Sequence, residues 1–187
     1  MTEPHLPVPG PMTADEYLAI PEDDGRRFEL LDGVLEEMTG ANLKHQRVIA
    51  RLHLLLHEAL QSTGLGEVLF APFDVVLDDR TVLQPDLIFV RRENAGVLNP
   101  RNARGAPDLV IEVLSESTRR KDVIRKARLY ARAGVVWYWT VDPEIDRVEF
   151  LRLEGDAYAV AARGDAPEVV DAPGFAGVRI ALAELFA

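Results

Sequence analysis

Gln84-Pro85-Asp86-Leu87-Ile88-Phe89-Val90 and Pro107-Asp108-Leu109-Val110-Ile111-Glu112-Val113-Leu114 are short, rich in β-branched and large apolar side chains, and bounded by proline, glycine or polar residues. That composition reads as two buried strands. Each carries a carboxylate where such a strand should have none. Strand periodicity puts Asp86, Ile88 and Val90 on one face, and Val110, Glu112 and Leu114 on one face of the other. If the strands are neighbours in suitable register, the two acids converge. An ionised carboxylate leaves water at a large cost unless a cation or several donors meet it. A divalent ion held between the strands accounts for both acids, and two hard oxygen ligands suit Mg²⁺ or Mn²⁺. The plainer alternative is that each acid caps backbone amides or pairs with an arginine at a strand end.

Outward from these strands, Thr13-Ala14-Asp15-Glu16 has the spacing of a capping box and opens a short helix through Ala19. Phe28 to Met38 reads as a hairpin turning at Asp32-Gly33. Asn42 to Gln61 is a long amphipathic helix with Val48, Ile49, Leu52, Leu55, Leu56 and Leu60 as its apolar stripe, ended by Gly64. Short strands follow near Glu67–Phe70 and Phe73–Leu77, and Asp78-Asp79-Arg80 turns into the first carboxylate strand. The stretch from Arg91 to Ala106, rich in Asn, Gly, Pro and Arg, reads as a mobile loop. Ser115-Glu116-Ser117-Thr118 is a turn with several possible helix caps. A basic amphipathic helix runs from about Arg120 to Ala133 and stops at Gly134. Val135–Val141 is an apolar strand, Val148–Leu153 and Tyr158–Ala162 form a meander, and a last helix lies near Ala183–Phe186. The order implies an α/β domain with a mixed sheet and packed helices. The strand from Asp108, the basic helix and the strand from Val135 form a crossover, right-handed by the general rule. We expect residues 1–12 to be a flexible arm and residues 13–187 a single domain.

At 187 residues, with 48% hydrophobic and 28% charged residues, the chain has the composition of a globular protein with a full core. No apolar run approaches the ~18–20 residues that span a bilayer. The N-terminus lacks the basic and apolar segments of a secretion signal. The absence of cysteine excludes a disulfide framework and thiolate metal sites. The expected location is the cytoplasm. A net charge of −10 weighs against nucleic acid as a partner, because phosphate repels a uniformly acidic surface. The distribution tempers this. From Arg91 to Arg132 eleven basic residues face five acids, so a basic face beside the carboxylate strands is possible, and so is an ordinary solvated helix face.

Other residues carry two readings each. Lys126 either forms an i, i+4 surface pair with Asp122 or turns toward Glu112, where an ammonium could orient an attacking water. Glu29, between Phe28 and Leu30, is either an outer metal ligand or a solvent-facing residue of an edge strand. His45 falls near the buried face of its helix, where a lone histidine is more often a boundary residue than a catalyst. His53 and His57 have the spacing of a zinc pair but no third ligand and read as solvent-facing. Of Trp137, Tyr138 and Trp139, one strand should bury two in the core. The chain has no P-loop, GxGxxG element, GxSxG elbow or HExxH pair, which removes nucleotide-dependent, serine-hydrolase and zincin chemistry.

Together FELLDGVLEEM, the helix with His45, APFDVVLDD, QPDLIFV, GAPDLVIEVLSEST, RKDVIRKARLYARAGVVWYWTVDP and the terminal LAELF, in that order, give a chain that resembles the Uma-type "putative restriction endonuclease" family. That family is a branch of the PD-(D/E)XK nuclease superfamily, and the likeness spans roughly residues 12–187. The resemblance implies a restriction-endonuclease-like mixed β-sheet core flanked by helices, with a C-terminal β-meander. It also implies Mg²⁺-dependent (Mn²⁺ possible) hydrolysis of DNA phosphodiesters, and a homodimer. Asp86 matches the motif's aspartate and Glu112 its second acid. Leu114 stands where the superfamily pattern has lysine, and Lys126 matches the lysine that replaces it from the next helix in this branch. Glu29 and His45 match positions typical of the branch. The turn reads Ser115-Glu116-Ser117-Thr118 where relatives commonly read SPST. The expected ion site is Asp86, Glu112 and the backbone carbonyl of Val113, with Lys126 positioning the attacking water. Glu29 is expected in the outer shell or at a second ion, and His45 at a water or the phosphate. The 91–106 loop and the basic helix are expected to grip the backbone. Two alternatives come from other classes: a catalytically silent nucleic-acid or protein binding module, and a metal-dependent hydrolase of small phosphodiesters.

Overall fold

The computed structural model describes residues 11–21, 25–38, 40–115 and 122–187. The capping box forms as its spacing predicts. Thr13 Oγ1 accepts the Glu16 amide and the Glu16 carboxylate accepts the Thr13 amide, opening α1 (Ala14–Leu18). β1 (Phe28–Leu31) and β2 (Val34–Glu37) make the hairpin. Its two turn residues, Asp32 (φ 52°) and Gly33 (φ 81°), both occupy the left-handed region that a tight hairpin requires. Asn42 caps α2 (Leu43–Leu56) by accepting the His45 amide at 2.9 Å, and the helix runs on into a π-turn over His57–Gln61.

β3 (Gly66–Phe70), β4 (Asp74–Asp78), β5 (Thr81–Leu83) and β6 (Leu87–Arg91) follow. The first carboxylate stretch therefore departs from a single strand. β5 ends at Leu83, and Gln84-Pro85-Asp86 carries the chain from one sheet to another before β6 begins. Proline suits that junction, having no amide to give to a ladder. The 91–106 stretch also differs from the loop expected. Arg92–Val97 is a 3₁₀ helix, and β7 (Asn102–Arg104) pairs in parallel with β4. Beyond β8 (Leu109–Val113), the turn residues 116–118 and the first residues of the basic helix lie outside the described residues. A π-turn over Asp122–Lys126 leads into α3 (Ala127–Ala133), which Gly134 stops at φ 85°. β9 (Trp137–Asp142), β10 (Arg147–Glu154) and β11 (Ala157–Asp165) form the expected meander. A further pair, β12 (Val169–Asp171) and β13 (Arg179–Ala181), was not legible in advance, its strands being three residues each. α4 (Leu182–Phe186) follows.

The strands make a six-stranded sheet in the order β11-β10-β9-β8-β6-β3 and a five-stranded sheet in the order β2-β1-β5-β4-β7. The six-stranded sheet is mixed: β8 and β9 are parallel, joined through α3, and the other pairs are antiparallel. Alternation along its strands feeds two cores. Leu87, Phe89, Ile111, Trp137 and Trp139 pack with Val48, Leu52 and Leu56 of α2 and with the C-terminal Ile180 and Leu182. Ile88, Val90, Val110 and Tyr138 pack on the opposite side with Leu129 and Tyr130 of α3 and with Val75 and Leu83 of the smaller sheet. All three rings of Trp137-Tyr138-Trp139 are buried, one more than expected, because both faces of β9 are covered. Phe175 closes edge-to-face on the two tryptophans. Among the described residues no helix is long and apolar enough to cross a membrane.

Candidate active site

The register that sets Leu87 opposite Ile111 brings Asp86 abreast of Glu112 at the end of the β6–β8 pair. Glu112 lies on the α3 face of β8, level with Thr140 of β9. Helical spacing puts Lys126 and Tyr130 one turn apart on the face turned toward it. Lys126 Nζ stands 3.2 Å from Glu112 Oε1 and 2.9 Å from Glu29 Oε1. The Tyr130 hydroxyl donates to Glu112 Oε1 at 2.7 Å. Of the two readings of Lys126, the structure takes the inward one: the residue is only 6% exposed, and Glu29 and Glu112 are as deeply buried. Asp122's side chain lies outside what is described.

Asp86 is held from two sides. Its Oδ2 accepts the Val113 amide at 2.7 Å and lies 3.3 Å from His45 Nε2. Glu29 is not solvent-facing; it accepts the Gln84 amide at 2.9 Å, so the sheet-crossing segment is tied to the hairpin. Behind it, the Gln84 side chain donates to Asp74 Oδ1 at 3.0 Å, and the Tyr17 hydroxyl donates to the Phe28 carbonyl at 2.7 Å. Burial, then the charges of Glu112 and Glu29, hold the Tyr130 hydroxyl far above the ordinary tyrosine range. It therefore stays a donor. Burial, then Asp74, also raises Tyr17.

Glu29, His45, Gln84, Asp86, Glu112, Val113 and Lys126 line one pocket of about 310 Å³, whose wall also includes Arg27, Gln46, Ile49, Phe70 and Ser115. Its lining carries five carboxylates, Glu29, Glu36, Glu37, Asp86 and Glu112, against two cations, Arg27 and Lys126, and Lys126 stands among the most deeply buried of the acids. Among the described residues no three His, Cys, Asp or Glu stand close enough to form a metal cage of their own. The donor set nonetheless fits a hard cation that keeps most of its waters. Such an ion needs only one or two carboxylates from the protein, and this pocket offers two with a strand-end carbonyl beside them.

The structure thus brings Asp86, Glu112, Lys126, Glu29, His45 and Val113 to one place. Among the described residues of the basic helix, Arg128 is exposed, while Arg125 and Arg132 pair with acids of the protein. Arg125 pairs with Glu36 and donates to the Leu31 carbonyl at 3.1 Å, and Arg132 bridges Asp32 and Asp78 at 2.7 and 3.0 Å. Their charge is spent docking α3 on the hairpin and the β4–β5 turn. In the 91–106 stretch, Arg91 and Arg104 face Asp108 and Asp15. His53 is half-buried and His57 exposed, their rings 6.1 Å apart on the outer side of α2. Tyr130 is the site residue that sequence reasoning missed. The signal was its place four residues after Lys126, since a buried tyrosine hydroxyl needs a partner.

A mixed sheet between helices, with converging strand-end carboxylates and a buried lysine, defines a nuclease-like α/β fold. The family model for Uma2, described as "Putative restriction endonuclease", matches residues 14–183, and the chain belongs to that family. Among solved structures, a putative nuclease belonging to DUF820 from Anabaena variabilis is similar over 94% of this chain and 98% of that one. Its TM-score is 0.77 at 19% identity. No curated protein matches the chain.

Proposed function

We propose that this protein is a Mg²⁺-dependent endonuclease, with Mn²⁺ as a substitute, that hydrolyses DNA phosphodiester bonds. One observation carries the reading: Asp86 and Glu112 converge in a pocket whose lining acids outnumber its cations five to two, an imbalance that a bound divalent cation would offset. Membership of a restriction-endonuclease family supplies the substrate class. Asp86, Glu112 and the Val113 carbonyl would hold the ion. When bound, such an ion lowers the pKa of a coordinated water and neutralises charge on the phosphate.

The chain's own residues do the rest. The Val113 amide and His45 fix the orientation of Asp86, and Tyr130 fixes that of Glu112. Lys126, anchored by two carboxylates, has its ammonium at the pocket wall. There it donates a hydrogen bond to the attacking water or to a non-bridging oxygen as negative charge grows there. The water oxygen bonds to phosphorus as its proton passes to solvent, the bond to the leaving oxygen breaks, and that oxygen takes a proton from solvent. Glu29, together with Glu112, holds Lys126 in place. Pairing of subunits, implied by the family resemblance, is tested by sedimentation velocity.

The experiment is cleavage of supercoiled plasmid and of single-stranded DNA, with and without Mg²⁺ or Mn²⁺. The expected outcome is metal-dependent cleavage by wild type, lost in Asp86→Ala and Glu112→Ala. Cleavage unchanged in both variants overturns the assignment. A second reading, hydrolysis of small phosphodiesters, is favoured by the pairing of Arg125 and Arg132 with acids of the protein, which takes these two cations from the face beside the pocket. Turnover of a chromogenic phosphodiester without DNA cleavage would select it.

A further inference from the structure

Of the chain's phenylalanine, tyrosine and tryptophan residues among those described, Phe70 alone is exposed, with 53% of its surface open. Its position is not incidental. Phe70 ends β3 directly opposite Leu87, the residue after Asp86, and the next amide, Ala71 N–H, donates to the Asp86 carbonyl at 3.1 Å. The ring is held by an edge-to-face contact with His53 of α2, centroids 4.7 Å apart, and it lines the same pocket as Asp86, Glu112 and Lys126. An exposed, braced aromatic face beside paired carboxylates has the chemistry of a stacking platform. Every nucleobase has a π-face to lay on it, but only when the base is out of a duplex.

The pocket, at about 310 Å³, lies at the small end of ligand sites, the scale of one small ligand. Of the described arginines on the basic helix, Arg125 and Arg132 are tied to acids of the protein itself and Arg128 is exposed. Arg27, on the pocket wall, stands where it can meet a phosphate of a bound strand.

We infer that Phe70, braced by His53, stacks an unpaired base next to the scissile phosphate, so that the substrate is a single-stranded polynucleotide. The inference rests on the proposed nuclease reading and sharpens its substrate. The test uses single strands of about 12 nucleotides, DNA and RNA of one sequence, carrying 2-aminopurine, and the matching DNA duplex. They are titrated in Ca²⁺ buffer at low temperature, with strand integrity checked on a gel.

Wild type should bind a single strand more tightly than the duplex and quench the 2-aminopurine. Phe70→Ala and Phe70→Leu should weaken that binding roughly 5- to 150-fold, while Phe70→Trp retains it. The DNA and RNA arms tell which polynucleotide supplies the base. Single-strand binding unchanged in Phe70→Leu overturns the inference, as does an equal loss on duplex. So does a change of oligomeric state in these variants without loss of binding, which would make the ring a contact between copies. If wild type still cleaves DNA in an Asp86-dependent way, only the stacking assignment falls. If cleavage is absent or indifferent to Asp86 and Glu112, the nuclease reading itself fails.

Discussion

Replacing Lys126 by methionine removes a cation held between two buried acids while nearly keeping its volume. Its ammonium lies 2.9 Å from Glu29 and 3.2 Å from Glu112, with all three residues no more than 6% exposed. At about 3 Å and an effective dielectric constant near 20, each contact has a gross attraction of roughly 5 kcal/mol. Most of that offsets desolvation, so the relevant quantity is the cost of leaving a buried charge unpaired, about 3–5 kcal/mol. Two donors stay behind, the Tyr130 hydroxyl on Glu112 and the Gln84 amide on Glu29, which places the expected loss near the lower end, about 3 kcal/mol. Urea denaturation of the single variants and of Glu29→Gln/Lys126→Met measures it. The double variant should recover part of the loss, giving a coupling energy of about 1–3 kcal/mol. A Lys126→Met cost below about 1 kcal/mol, within the range of solvent-exposed pairs, would refute the reasoning. So would strict additivity with Glu29→Gln.

Other expectations follow from the same geometry. The folded protein keeps protons on Tyr130, Tyr17 and Tyr158 that the unfolded chain releases near pH 10, because burial, aided at Tyr130 and Tyr17 by neighbouring carboxylates, raises all three. The contribution is intact below pH 10. Stability should then fall as pH rises beyond it, by about 1.4 kcal/mol per pH unit for each such tyrosine. Tyr130→Phe should make the alkaline slope of the urea midpoint shallower by one tyrosine's share; an unchanged slope contradicts this. Gly66→Ala puts a Cβ 2.1 Å from the Val90 carbonyl, so the β3–β6 pair must shift, at a cost of about 1–3 kcal/mol in thermal or urea unfolding. In cleavage assays Lys126→Met should lose about 10²–10³-fold in turnover, the scale for one charge-stabilising donor.

The parts of the fold legible in the sequence are those with a local cause. The capping box at Thr13, the Asp32-Gly33 turn and the stripe of α2 each follow from spacing that acts within a few residues. The carboxylates were legible for a different reason: an acid inside an apolar strand signals a missing partner wherever the strand sits. What the sequence did not disclose depends on contacts between distant segments. The strand expected from Gln84 begins only at Leu87 and β5 was not read, because only the sheet partners of Thr81–Leu83 reveal that the chain changes sheets at Pro85. The 91–106 stretch has a loop's composition but is ordered by pairing of β7 with β4. The basic helix showed its charge but not where that charge goes. Arg125 and Arg132 serve the hairpin and the β4–β5 turn, and Lys126 serves the acids.

The central claim is that the Asp86–Glu112 pocket is a divalent cation site. Isothermal titration of Mn²⁺ into the full chain, beside Asp86→Ala, Glu112→Ala and a surface control such as Glu154→Ala, tests it most directly. The account predicts binding to wild type and the control that is lost in both pocket variants while their folding, followed by circular dichroism, persists. Binding that survives both substitutions, or no binding to the wild-type chain, would contradict it.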